Sequence, residues 1–430
     1  MATDTWATSK KAFNVATNLL KRYHFVTIGS TKEILVYDNN NGIYVPGGES
    51  VIEQNTQSDL GSDTSIHIVN EILGHIKRST IIDIDDIDAS DNIINVKNGL
   101  LNTNSNKLSK HTPSYVSITQ IPIEYNPNIE CNRIDEFLSS VFDKNDIEVI
   151  KEYIGFLLIK RYIFHKALML TGDTGTGKTT FQRMIISFLG GNNISTRTLQ
   201  DLCEDKFASA DLFGKLANVS DDIPSNAIKY AGKFKQITGE SRLSGQKKFQ
   251  NSFDFYNNAK IIFSCNELPP AHNGDDAYYY RWIIVETKRR FTQDKANRNL
   301  ISELTTPEEM SGLLNLALKY RKKLLDQNDF SYDRSIEYSV RRYMLTVKDS
   351  VAKFAGRCIQ SDGNCYIEKQ KLYETYEEWC VDTELPAKSD NAFHRRLQRV
   401  LGNTVEVYRP TVDGHQITAY KGIKLKDGYV

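Results

Sequence analysis

The chain has 430 residues, 40% of them hydrophobic and 25% charged, and a formal net charge of zero. That is the composition of a soluble globular protein of two to four domains. Six cysteines without a Cys-x-x-Cys pair indicate neither a disulfide framework nor a zinc site, and Lys160, Arg161 and Lys166 interrupt the most apolar stretch, which excludes a membrane span. The polar N-terminus carries no signal pattern, so a cytoplasmic location is expected. Charge is unevenly spread: residues 1–150 hold 12 Lys+Arg against 20 Asp+Glu, and residues 151–430 hold 42 against 34. A polyanion is therefore expected to meet the later part of the chain.

In chain order, residues 1–115 form an acidic α+β region. Strand-like pieces at 32–38 and 42–48 flank the turn Asp-Asn-Asn-Asn-Gly, which reads as a hairpin connection, and a helix is predicted over 65–80. A helical lead-in over 116–165 contains two apolar-periodic stretches, 133–142 and 146–162. An α/β core of parallel strands is then expected over 166–300: a buried strand at 166–172, a helix over 179–191, and strands at 215–222, 260–265 and 281–286. The helix places Phe181, Met184, Ile185, Phe188 and Leu189 on one face, closed by Gly190 and Gly191.

A helical connection follows over 301–350. It opens with Thr306 as N-cap, Pro307 in the first turn and Glu309 completing a capping box. Residues 351–430 form a separate unit of three helices and two strands joined by a turn containing Asp413-Gly414, the pattern of a winged helix.

The chemistry starts between the first core strand and its helix. Gly172-Asp173-Thr174-Gly175-Thr176-Gly177-Lys178-Thr179-Thr180 fits Gly, four residues, Gly-Lys-Ser/Thr, and the strand–loop–helix context is the one this phosphate loop requires. Its backbone N–H groups are suited to ATP phosphates at a helix N-terminus, with Lys178 on the β- and γ-oxygens and the Thr179 hydroxyl on Mg²⁺. A partner acid is expected at the end of another strand. Asp221 and Asp222 follow the strand at 215–220, and either can serve the magnesium shell and the attacking water. Asn266 closes a third strand, where it can orient the lytic water or act as a turn residue. Lys247 and Lys248 offer two cations to phosphates, and Phe249 one ring to a base. In the tail, Arg395 and Arg399 point outward one helical turn apart with Arg396 beside them, for duplex DNA or a protein contact.

The order of the segments Gly172–Thr180, Lys215–Pro224, Lys235–Pro270 and Asp275–Glu286 resembles the superfamily 3 helicases of the AAA+ class, in particular the primase-helicases of poxviruses, phages, archaeal viruses and plasmids. The resemblance implies an AAA+ core, a C-terminal winged helix, and an ATP- and Mg²⁺-dependent helicase that forms a hexameric ring and moves 3′ to 5′. Its implied partners are single-stranded and forked DNA, other copies of the chain, and a primase domain or protein. By position it makes Asn266 a sensor of the γ-phosphate, Arg281 an arginine finger, and the segment around Lys247–Phe249 a DNA-contacting hairpin. Where relatives often carry Trp-Arg-Arg, this chain has Tyr279-Tyr280-Arg281, and relatives often lack an acid at the position of Asp221. An initiator that uses ATP as a switch without processive unwinding is the alternative. A small-molecule phosphotransferase would need a substrate lid that the sequence does not offer.

The run Ile81–Asp88 holds Asp83, Asp85, Asp86 and Asp88 and is similar to the metal-binding strand of archaeo-eukaryotic primases. A primase needs a larger surrounding fold and a downstream histidine motif, so these are read as solvated acids at a strand end.

Overall fold

A computed structural model describes residues 2–221, 223–224, 228, 230–248, 251–266, 268–269, 275–287, 289–291, 297–332, 343, 350–383, 385, 387–402, 405–412 and 415–426. The N-terminal region runs α1 (Ala2–Arg22), β1 (Phe25–Ile28), β2 (Ile34–Asp38), β3 (Ile43–Pro46), α2 (Gly48–Leu60), α3 (Ile66–Ser79) and β4 (Ile81–Ile82). β2 and β3 form the expected hairpin around the Asn-rich turn, with Asp38 opposite Ile43. The Ser65 side chain caps α3 by accepting from Ile68 N. Ala12, Leu19, Ile52, Ile72 and Ile76 from the three helices close over Phe25 and Ile34 of the sheet. A small antiparallel sheet of β5 (Ile93–Val96), β6 (Gly99–Asn102) and β7 (Lys107–Ser109) follows.

Two lead-in helices come next, α4 (Asn132–Val141) and α5 (Lys144–Phe156). α5 stops six residues short of its predicted end, and the remaining apolar residues, Leu157 to Ile159, are buried in the turn beyond it. Tyr153 of α5 pins the central sheet by donating to Ile261 O at 2.7 Å.

The core is assembled from β8 (Ala167–Thr171), α6 (Lys178–Leu189), β9 (Ile194–Ser195), α7 (Leu199–Glu204), β10 (Ala217–Ser220), α8 (Ala231–Ile237), the hairpin strands β11 (Arg242–Gln246) and β12 (Ser252–Tyr256), β13 (Lys260–Cys265), α9 (Asp276–Tyr280) and β14 (Trp282–Glu286). The five-stranded sheet has the order β14-β8-β13-β10-β9, and every neighbouring pair is parallel. β8 and β13 are buried along their whole length, as expected for strands covered on both faces. The α6 stripe of Phe181, Met184, Ile185, Phe188 and Leu189 is fully buried.

Two further helices, α10 (Leu300–Leu304) and α11 (Pro307–Gln327), pack back on the lead-in. Thr306 caps α11 by accepting from Glu309 N with Pro307 in the first turn, but the expected capping box is not completed, because the Glu309 carboxylate accepts from Arg133 N and Ile134 N at the start of α4. Glu152 of α5 is fully buried and satisfied by Lys323, Gln327 and Ser331. One apolar cluster runs from Val26 to Ala352, so the N-terminal region and the core share an interior rather than standing apart.

Residues 350–426 have their own core around Phe354, Tyr376, Trp379, Phe393, Leu397 and Tyr420. Helices at Ser350–Cys358, Lys369–Asp382 and Asp390–Leu401 surround an antiparallel sheet of Ile359–Glu368, Ala419–Leu425 and Glu406–Tyr408. The strand Ile359–Glu368 adds to the three helices and two strands expected. It follows directly on the helix Ser350–Cys358, and its register shifts between Asp362 and Tyr366. The Asp413-Gly414 turn lies outside the described residues.

Candidate functional site

In open parallel sheets, ligands meet the carboxyl ends of the strands. Thr171 of β8 stands in register with Cys265 of β13 on one side and Glu286 of β14 on the other. Gly172, Asn266 and Thr287 therefore leave the sheet side by side. On β10, Ser220 pairs with Phe263, which puts the following Asp221 on the same edge. With strands about 4.8 Å apart, the glycine loop, the asparagine and the acid fall within roughly 10 Å of one another. Asp221 and Asn266 are exposed on this edge, and Asp222 lies outside the described residues.

The loop has the backbone its glycines allow. Gly172, Gly175 and Gly177 take φ of 137°, 81° and 95°. A Cβ at Gly172 would sit 2.3 Å from Thr287 O, and one at Gly177 would sit 2.7 Å from Val141 Cγ2 of α4. Both positions thus require glycine for close approach as well as for φ. α6 begins at Lys178, and its first-turn N–H groups open toward the loop, a geometry that favours an anion. Lys178 is largely buried and donates to Gly172 O and to Asp173 O at 2.8 Å, so its ammonium lies within the loop, while Thr179 is exposed beside it.

The loop is strapped from the far side. Thr176 and Thr287 hydroxyls are 2.7 Å apart and both side chains are buried. Thr287 N donates to Thr171 O at 2.7 Å, and Phe291 N donates to Gly175 O at 2.9 Å. A second tie crosses the sheet. Gln182, one turn into α6, donates to Ser220 O at 3.2 Å and accepts from Ser264 Oγ at 3.2 Å. It joins the loop helix to the strands that carry Asp221 and Asn266. Neither the straps nor this glutamine was read from the sequence. The signal for Gln182 was a polar residue beside the apolar stripe of α6, which is faint.

Arg281 stands elsewhere. It precedes β14, at the amino edge of the sheet, and a five-residue strand of about 16 Å separates it from Thr287. Its guanidinium donates to Ala277 O at 2.7 Å and Lys235 O at 3.5 Å, and burial holds its pKa below the usual arginine range. Asp275 makes its ion pair with Lys235 at 2.7 Å and caps Tyr278 N. Lys166 shares this edge, its ammonium 3.4 Å from the Tyr280 ring centroid.

Hairpin β11–β12 turns after Gln246, and Lys247 and Lys248 are exposed at its tip. Phe249 is outside the described residues. Leu243, Phe253 and Phe255 are buried at its base. In the C-terminal unit, Arg395 and Arg399 are exposed on the helix whose Phe393 and Leu397 face the core, and Arg396 is half-buried.

The acids of the run Ile81–Asp88 are occupied structurally. Asp83 accepts from Asp85 N at 3.0 Å, Asp86 accepts from Asp83 N at 3.1 Å, and Asp88 accepts from Ile118 N and Thr119 Oγ1. No group of three metal-ligating side chains occurs among the described residues. No helix among them is long and apolar enough to cross a membrane.

Three family models match successive parts of the chain. Residues 11–143 match "D5 N terminal like", residues 170–282 match a family of unknown function, DUF5906, and residues 347–421 match "Poxvirus D5 protein-like". None of the curated proteins matches. Among solved structures, two apo structures of the NrS-1 C-terminal region cover 95% of this chain and 98% of their own, with TM-scores of 0.50 and 0.51 at 11% identity, which is a likeness of fold. The chain is therefore D5-like at both of its ends.

Proposed function

We propose that the chain is an ATP-driven DNA helicase of superfamily 3, with an AAA+ motor over 166–300 and a winged-helix unit over 351–430, serving replication of a virus, plasmid or integrated mobile element. One observation carries this reading: the glycine loop, an acid and an asparagine leave three adjacent parallel strands at one edge, tied together by Gln182. The D5-like segments at both ends support the role in replication.

In this reading Lys178 neutralises the β- and γ-phosphates, and the N–H groups from Thr174 to Thr179 cradle them. Magnesium, held through Thr179 and through Asp221 or Asp222, supplies charge neutralisation at the phosphates when bound. The carboxylate and Asn266 orient the attacking water. Arg281 is too far from its own loop to act there, so its part in hydrolysis is at the nucleotide of a neighbouring subunit. This fits the hexameric ring and 3′ to 5′ movement that the superfamily resemblance implies. Lys247, Lys248 and Phe249 engage the strand in the channel, and Arg395, Arg396 and Arg399 engage duplex DNA.

The test is ATP turnover with and without single-stranded DNA. Stimulation that Lys178→Ala removes supports the motor. Turnover indifferent to single strands favours the ATP-switched initiator.

A further inference from the structure

In the acidic run Asp83, Asp85 and Asp86 are exposed, and Asp85 meets the hairpin. Arg242 opens β11 and pairs in register with Tyr256, the last residue of β12. Its guanidinium lies 5.0 Å from the Tyr256 ring centroid and hydrogen-bonds the Asp85 carboxylate. Asp85 is presented by the turn Ile84–Asp86, which Asp83 and Asp86 lock through reciprocal bonds to each other's backbone. A rigid turn of the N-terminal region thus grips the foot of the hairpin from 157 residues away.

Openings flank this contact on both sides. On one side is a cavity of about 500 Å³ lined by Asp88, Lys160, Arg161, Phe213, Phe255 and Tyr256. On the other is an open cleft of about 660 Å³ between Ser30, Ile81, Asp83, Arg242, Ser252 and Asp254. The ion pair acts as a strut between these two openings, beside the turn Ile84–Asp86 where it approaches β12. The hairpin tip lies about 16 Å from this foot, so a 10° change at the foot displaces Lys247 and Lys248 by roughly 3 Å.

We propose that Asp85 is a positioning residue for the DNA hairpin: by holding Arg242 it lets the N-terminal region set the angle at which Lys247 and Lys248 meet the strand. This rests on the DNA-motor reading for its consequence, though not for its geometry. An exposed ion pair adds little to global stability, so its loss leaves the fold and basal hydrolysis in place. Local opening of the hairpin is measurable by hydrogen exchange.

The test uses the full chain as wild type, Asp85→Lys, Arg242→Glu and the double variant carrying both. Hydrogen exchange of the amides in 242–256 is expected to quicken several-fold in each single variant and to return toward wild type in the double, where the charges are exchanged. DNA-stimulated ATP turnover is expected to fall several-fold in each single variant and recover in the double, with turnover in the absence of DNA unchanged. Single variants with wild-type exchange, or a double variant as perturbed as either single, overturn the strut. Altered exchange with full DNA stimulation overturns the positioning role. A wild-type protein that DNA does not stimulate speaks against the motor, and the exchange result then decides the strut by itself.

Discussion

Ser264 Oγ donates to Gln182 Oε1 at 3.2 Å, while Gln182 Nε2 donates to Ser220 O at the same distance, so one buried amide spans the ends of β13 and β10 from the helix that follows the glycine loop. Gln182→Leu keeps the approximate volume and removes both bonds, leaving a buried hydroxyl and a buried carbonyl without that partner. The expected loss is roughly 1–3 kcal/mol of stability and a lower kcat for ATP, with KM changed less because Lys178 and the loop amides remain. Denaturant unfolding and steady-state turnover read the two effects separately.

Replacing Lys247, Lys248 and Phe249 by Ala should leave basal ATP turnover intact and weaken single-strand binding. Two lost phosphate contacts reduce the slope of log K against log salt by about 1.4 for single strands. Fluorescence anisotropy across a salt series checks this. An unchanged slope places the strand elsewhere.

The C-terminal unit should lose stability in mild acid. Burial holds the His394 imidazole below its usual range; the neighbouring Asp390 opposes this and Lys369 reinforces it. Between the lowered folded value and the ordinary value near about 6.5, the unfolded chain binds more protons, so stability falls as pH drops through that window. Native-state hydrogen exchange of the amides at 393–400, corrected for intrinsic rates, should report a smaller opening free energy at pH 5.5 than at 7.5. His394→Phe should flatten that dependence.

Lys178→Ala and Arg281→Ala proteins should each lack ATPase alone and regain part of it when mixed, because some interfaces then pair an intact loop with an intact arginine. An arginine finger contributes about 10³–10⁵ in rate in other nucleotide hydrolases. Arg281 also bonds Ala277 O and Lys235 O, so a thermal melt of Arg281→Ala separates misfolding from lost chemistry. A co-assembled mixture as inactive as its components contradicts a shared site.

Much of this was legible locally. The stripe from Phe181 to Leu189, the Thr306 cap and the Asn-rich hairpin turn each carry their signal within a dozen residues, and all three are present. α1 and α2 were not read. The buried face of α1, Ala12, Val15, Ala16 and Leu19, has helical spacing but is half alanine, and α2 buries only Gly48, Ile52 and Thr56, so the apolar signal of both is weak. The strand Ile359–Glu368 contains Asp362-Gly363-Asn364, which reads as a turn and is where its register breaks. Of the site, the loop glycines, Lys178, Asp221 and Asn266 followed from strand ends. Thr287, Gln182 and the Asp85–Arg242 pair join residues 38 to 157 positions apart, and no local pattern announces them.

The central claim is that ATP hydrolysis at the Lys178 loop separates DNA strands. Its most direct test is unwinding of a labelled fork bearing a 3′ single-stranded tail, with ATP and magnesium, by wild type and by Lys178→Ala. The account predicts strand separation by the wild type that requires ATP, fails with a 5′ tail alone, and is absent in the variant. ATP hydrolysis by the wild type with the fork left intact on either tail would contradict it.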